Sequence, residues 1–111
     1  MPTMDFHGKR IEIDGSGYII NVHDWTRELA DHMARIEGID MTRDHWEVVN
    51  LLRDYYQQHQ IAPMIKMLIR DIRRIMGPEK GNMKYLFELY PDGPAKQACK
   101  IAGLPAPTGC I

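Results

Sequence analysis

Cysteine is scarce, with two residues among 111. That is too few for a disulfide-stapled scaffold, so the thiols are expected to be redox-active rather than structural. Net charge is almost absent, formally −1 at pH 7, which argues against general affinity for nucleic acid. No apolar run approaches the ~18 residues of a membrane span, so no insertion is expected. The opening residues Met-Pro-Thr-Met-Asp-Phe lack the basic region and apolar stretch of a signal peptide. A cytoplasmic location is the expectation. There is no Gly-rich phosphate loop and no Gly-x-Ser-x-Gly. The five histidines, His7, His23, His32, His45 and His59, show no ligand spacing, so neither metal nor cofactor is expected. Repeats, linkers and low-complexity segments are missing too.

What is there suits one small globular domain: 44% apolar and 26% charged residues. Residues 4–21 alternate weakly around the turn signals His7-Gly8 and Asp14-Gly15-Ser16-Gly17. They read as a small β-hairpin sheet with strands over 5–7, 10–13 and 18–20. Asp24 suits an N-cap, followed at helical spacing by Trp25, Leu29, His32 or Met33 and Ile36, with Gly38 as the stop. Thr42 suits the cap of a helix reaching about residue 60, with Val48, Leu51, Leu52 and Tyr55 as its apolar stripe. Pro63 opens a third helix, ending before Gly77-Pro78, with Met64, Met67, Leu68, Ile72 and Ile75 towards the core. Asn82 caps a short helix through Leu89, and Pro94 takes the first helical position of the last one, stopped by Gly103. The expectation is a mostly α (α+β) fold. It is an orthogonal bundle of about five helices with a small N-terminal hairpin, a body over 1–103 and a flexible C-terminal arm over 104–111.

The two thiols sit in different settings. Cys110 lies one residue from the end of the sequence, on a stretch that Pro105 and Pro107 stiffen and that Gly103 and Gly109 flank as swivels. Cys99 lies on a helix face of small residues, Ala95, Ala98, Cys99 and Ala102. Such a face leaves room for the arm, which could stretch roughly 24 Å from Gly103. The thiols could meet in one state and part in another. The plainer alternative is two unrelated reduced thiols, since Cys-x10-Cys is neither a metal nor a thioredoxin-type spacing.

Charge is unevenly distributed. Lys66, Arg70, Arg73, Arg74, Lys80, Lys84, Lys96 and Lys100 face only Asp71, Glu79, Glu88 and Asp92 over the same span. One reading is a solvated surface; the other is a face that docks an acidic partner or draws in sulfur oxyanions and persulfides. Tyr85, Tyr90 and Trp46 are candidates for the arm's resting groove or for ordinary core. The short turn between the second and third helices resembles a helix-turn-helix. A small DNA-binding regulator is therefore an alternative, though the basic helix lacks the Asn, Gln and Ser that read base edges.

The stretch Gly93-Pro-Ala-Lys-Gln-Ala-Cys-Lys-Ile-Ala-Gly-Leu-Pro-Ala-Pro-Thr-Gly-Cys-Ile111 resembles the C-terminus of the DsrC/TusE family of sulfur carriers. The likeness extends through Glu12-Ile-Asp-Gly-Ser-Gly-Tyr18, His45-Trp-Glu-Val-Val49, Ile61-Ala-Pro63 and Lys80-Gly-Asn-Met-Lys-Tyr-Leu86. TusE-type members, which serve tRNA thiolation, keep the final cysteine and lack the upstream one. The presence of both resembles the DsrC branch, the gamma subunit of dissimilatory sulfite reductase. Ala106 departs from the family's usual Lys.

The resemblance implies a carrier that is a co-substrate rather than a self-contained enzyme. Cys110 would take up sulfur as a persulfide, and Cys99 would close on it as a resolving thiol, giving a trisulfide. Implied partners are the alpha and beta subunits of dissimilatory sulfite reductase, a DsrEFH- or TusBCD-type sulfurtransferase and a membrane-bound DsrMKJOP-type reductase complex. Siroheme would belong to the reductase. Neutralising Lys66, Arg70 and Arg73 together is expected to weaken partner binding at low salt; unchanged affinity would exclude α-helical docking through these cations.

Overall fold

The computed structural model describes residues 2–107. Five helices carry most of the ordered backbone: α1 (Arg27–Ile36), α2 (Arg43–His59), α3 (Ile65–Met76), α4 (Met83–Leu89) and α5 (Pro94–Ile101). An antiparallel hairpin, β1 (Thr3–Phe6) and β2 (Lys9–Glu12), precedes them. This is the mostly helical architecture with an N-terminal hairpin that the periodicity predicts.

Phe6 pairs with Lys9 across a two-residue turn in which His7 and Gly8 both take positive φ, 49° and 77°. That geometry matches the natural twist of a hairpin. The expected third strand is reduced to an isolated bridge between Ile13 and Ile19. The reason is local: Asp14 accepts the amides of Ser16 and Tyr18, closing the loop as a turn instead of a ladder. The hairpin is held to the body through Ile11 and Ile19, which pack with Leu29 and Met33 of α1.

The start of α1 differs from expectation. Asn21, not Asp24, begins the local structure, accepting the His23 amide and opening a short 3-10 turn over Val22–Asp24. The N-cap of α1 is Thr26, whose hydroxyl accepts the Leu29 amide at 3.1 Å. Trp25 is therefore extended and outside the helix, free to reach across the fold. The buried face of α1 is Leu29, Ala30, Met33 and Ala34, and Ile36 is 65% exposed.

Thr42 caps α2 as expected, with His45 completing the capping box where Glu or Gln is usual. His45 Nδ1 accepts the Thr42 amide at 3.1 Å, which leaves Nε2–H to donate to the Leu89 carbonyl at 2.8 Å. The imidazole thus joins α2 to the end of α4. Tyr90 adds a bond from its hydroxyl to the His45 carbonyl at 3.0 Å.

In α3 the apolar stripe is rotated by about one residue from expectation. Leu68 and Ile72 are buried, Ile65, Ile69 and Met76 pack beside them, and Met64 and Ile75 are largely exposed. Pro63 is buried but lies before the helix, whose N-cap is Met64. Where the chain turns towards α4 it crosses α3 closely. A Cβ on Gly81 would lie 2.3 Å from Arg73 Cα, and Arg73 Nε donates to the Gly81 carbonyl at 3.1 Å.

The last helix is central. Pro94, Ala95, Gln97, Ala98, Cys99 and Ile101 are all buried, and α5 touches α1, α2, α3 and α4. Small side chains let four helices approach one axis. Gln97 is fully engaged, accepting the Asp92 amide at 3.0 Å and donating to Glu37 at 2.9 Å. Among the described residues no helix is long and apolar enough to cross a membrane.

A second joint between α2 and α4 is electrostatic. The Tyr85 hydroxyl donates to the Asp44 carboxylate, and Lys80 Nζ lies 3.0 Å from it. The Tyr85 hydrogen bond first, and then Lys80, hold the Asp44 carboxyl below its ordinary value of 3.8. A depressed carboxyl stabilises the fold above the unfolded value and loses that contribution as pH falls through the folded one. In urea melts, the stability advantage of the native protein over Asp44→Asn should shrink as pH drops below about 4. Parallel curves across that window would contradict the network.

Candidate functional site

Cys110 and Gly109 lie outside the described residues, so the site is built here from Cys99 and the root of the tail. The face of Ala95, Ala98, Cys99 and Ala102 is enclosed, with all four at most 2% exposed. The Cys99 thiol is 0% exposed, and burial pushes its pKa up to about 12. A thiol nucleophile must ionise, and this one is held protonated at neutral pH.

Gly103 ends α5 with φ +72°. The Leu104 amide donates to the Cys99 carbonyl at 3.0 Å, and the Gly103 amide to the Lys100 carbonyl at 3.1 Å. These two bonds form a Schellman closure, with Leu104 buried in the same cluster as Cys99. Leu104 is buried, and the exposed stretch begins at Pro105. Gly103 is not an open swivel. A Cβ there would lie 2.3 Å from Trp25 Cδ1, because the indole lies directly over it.

Two long side chains complete this end. Trp25 Nε1–H donates to the Ile101 carbonyl at 2.8 Å, and Arg53 Nη1 donates to the Ala102 carbonyl at 2.8 Å. The Arg53 guanidinium stacks 3.8 Å from the centre of the Trp25 ring. Burial lowers the Arg53 pKa, partly offset by Asp54. Four successive carbonyls, from Cys99 to Ala102, are thereby satisfied at a helix end that would otherwise leave them orphaned.

Two depressions flank the root of the tail. A groove of about 760 Å³ is lined by Trp25, Arg27, Arg53, Tyr56, Gln57 and Leu104. A cleft of about 300 Å³ is lined by Tyr18, Glu37, Lys96, Gln97, Lys100 and Ala106. In the cleft, Lys100 Nζ lies 3.4 Å from Glu37, and the Tyr18 hydroxyl donates to the Lys96 carbonyl at 2.9 Å. Pro105 and Ala106 are exposed and Pro107 is half-buried.

Of the six docking candidates, the structure brings Lys96 and Lys100 to one cleft beside Ala106. Arg73 is tied to Gly81, and Arg70 and Arg74 flank Asp71 at 3.8 and 3.7 Å. Lys66 and Lys84 are exposed elsewhere on α3 and α4. The candidate groove aromatics are structural: Tyr90 is fully buried, Tyr85 holds Asp44, and Trp46 lies under the Arg27 guanidinium at 4.0 Å. Sequence reasoning missed Trp25 and Arg53 as partners of the tail's root. Gly103-Leu104, a glycine followed by an apolar residue, was the one local signal that the helix end is closed. Among the described residues, no group of three His, Cys, Asp or Glu is placed to hold a metal ion.

A sealed position sets a clear demand on substitutions. Cys99→Ala should cost about 1 kcal/mol in urea denaturation through lost packing. Cys99→Ser should cost more, about 1–3 kcal/mol, since it buries a hydroxyl in an apolar cluster. A serine variant as stable as the alanine one would contradict the burial.

Similarity to known proteins now adds to this geometry. The family model described as DsrC like protein matches residues 5–111. The protein named Sulfurtransferase TusE of Escherichia coli (strain K12) is 48% identical over 106 residues, 96% of this chain and 97% of the relative. Its namesake in Yersinia pseudotuberculosis is 49% identical over 108 residues, 97% of this chain and 100% of the relative. The NMR structure of Allochromatium vinosum DsrC superposes with a TM-score of 0.87 at 47% identity, covering 98% of this chain and 97% of that one. The crystal structure of the oxidized gamma-subunit of dissimilatory sulfite reductase (DsrC) from Archaeoglobus fulgidus gives 0.86 at 36% identity, covering 99% and 100%. Relatives named TusE and a structure named DsrC are thus about equally similar, so identity alone does not separate the branches. With the fold and these likenesses on the page, the chain belongs to the DsrC/TusE family and is a sulfur carrier.

Proposed function

We propose that this chain is a two-thiol carrier of the DsrC kind, serving a dissimilatory sulfite reductase or the reverse, oxidative flow. Cys110 is the sulfur-accepting thiol and Cys99 the resolving thiol. The observation that carries this reading is the root of the tail. Leu104 is hydrogen-bonded to the carbonyl of Cys99 itself, so the segment bearing Cys110 springs from beside the second thiol. Cys110 lies six positions after Leu104, a reach of about 20 Å. That is enough to extend into a partner or to fold back to the ~4.4–6.8 Å Cα separation of a disulfide. A tether this short raises the effective concentration of one thiol at the other.

The chemistry then runs in two steps. Cys110 thiolate attacks the outer sulfur of a donor persulfide; the donor thiolate leaves, and Cys110 carries the persulfide. Cys99 thiolate attacks the sulfur bonded to Cys110 Cβ; hydrosulfide leaves, and a Cys99–Cys110 disulfide remains. With sulfite as the source, two thiols, two electrons from the partner reductase and four protons give the trisulfide and three waters. A sulfurtransferase of the DsrEFH or TusBCD type would load the carrier, and a membrane-bound reductase would reset the bridge. No cofactor of its own enters either step.

A relay of the TusE type is the second reading, favoured by the 45–49% identity to proteins of that name and by the sealing of Cys99. Such a relay needs Cys110 alone. The DNA-binding alternative gains no support from the family. Mass spectrometry after incubation with a persulfide donor separates the remaining two. One sulfur should be gained by the native protein and by Cys99→Ala, and none by Cys110→Ser. The persulfide of Cys99→Ala should outlive that of the native protein. Equal lifetimes would favour the single-thiol relay, and sulfur on Cys99 with Cys110 untouched would overturn the roles.

A further inference from the structure

Cys99 cannot meet any second thiol in the conformation observed, because its sulfur is wholly enclosed. Reaching it requires the end of α5 to open, which lifts Ile101, Ala102 and Leu104 from the core cluster while the rest stays packed. Unwinding residues 100–104 breaks the bonds of the Ala102, Gly103 and Leu104 amides and the two side-chain bonds from Trp25 and Arg53. The N-terminal half of α5, from Pro94 to Ala98, can stay in place, held by Gln97 and by Tyr18 on the Lys96 carbonyl.

We propose that Trp25 and Arg53 are positioning residues that gate Cys99: they hold closed the turn that follows it at the end of α5, and their release admits Cys110. The inference rests on the resolving role assigned to Cys99. Three observations converge on it. Both side chains bond carbonyls within three residues after Cys99. The two stack on each other, so displacing one loosens the other. Both also line the 760 Å³ groove together with Leu104, so the gate's outer side faces open space while the thiol faces the core.

The energetics suit a gate better than a rivet. Arg53 is a half-buried cation whose acceptor is a neutral carbonyl. Opening lets the guanidinium rehydrate, which offsets much of the lost bonding. Trp25 closes the turn sterically over Gly103, and swinging the indole into the groove frees the backbone to move. A partner group seated in that groove would touch Trp25 and Arg53 before anything else.

The test isolates Cys99 in Cys110→Ser protein, so its outcome does not depend on whether Cys110 loads sulfur. Iodoacetamide alkylation of Cys99 is followed by mass as a function of urea. Arg53→Gln and Trp25→Phe should each speed alkylation about tenfold without urea, and Arg53→Lys, which keeps a donor, should lie between Gln and native. The urea dependence at low concentration should be shallower than that of global unfolding. The proposal is overturned if rates are unchanged. It is equally overturned if each variant's rate rises only by the change in its global unfolding constant, with the global slope. Should one substitution prevent folding, the other, together with the urea slope of the parent protein, still decides.

Discussion

The structure depends on how one helix ends. At Gly103 the chain turns through the left-handed region, Leu104 returns its amide to Cys99, and the Trp25 indole covers the turn. A residue with a Cβ at 103 would meet that ring at 2.3 Å. The indole is available only because Thr26, one residue later, caps α1 and leaves Trp25 outside the helix. A capping choice near the start of the chain thus determines how the other end is rooted.

This closure gives the two thiols opposite environments. Cys99 is desolvated and held protonated, while the segment towards Cys110 leaves the body at Pro105 between a groove and a cleft. A carrier with a second thiol must avoid reacting with its own cargo until delivery. In the proposed two-thiol cycle, burial of Cys99 meets that need until the turn after it opens. The cations gather less than their sequence density implies. Most are tied to neighbouring carboxylates or carbonyls, and Lys96 and Lys100 share a cleft with the tail at Ala106.

Helix identity and caps were readable because they are local. Thr42, Asn82, Pro94 and Gly103 act within a few residues of themselves, and each stands where its chemistry places it. Asp24 misled because Asn21 and Thr26 compete with it for the same amides. The stripe of α3 was displaced by one residue because apolar residues on both flanks fit a helical period equally well. The third strand was lost to Asp14, whose carboxylate offers the backbone a turn in place of a ladder. The small face around Cys99 is legible in the sequence, but spacing cannot say which neighbour fills a gap. Trp25 and Arg53 reach the tail's root across 76 and 49 residues of sequence, and no periodicity encodes such a contact. The family likeness of the C-terminal motif was legible at once, because that motif combines unusual residues in fixed order.

Amide hydrogen exchange at Ala102, Gly103 and Leu104 in the reduced protein tests the central claim most directly. The account predicts protected amides that exchange through an opening exposing less surface than global unfolding, before the amides of Val48, Val49 and Leu52 in α2. Amides that exchange at unprotected rates would contradict the closure; amides that exchange only with global unfolding would contradict its release.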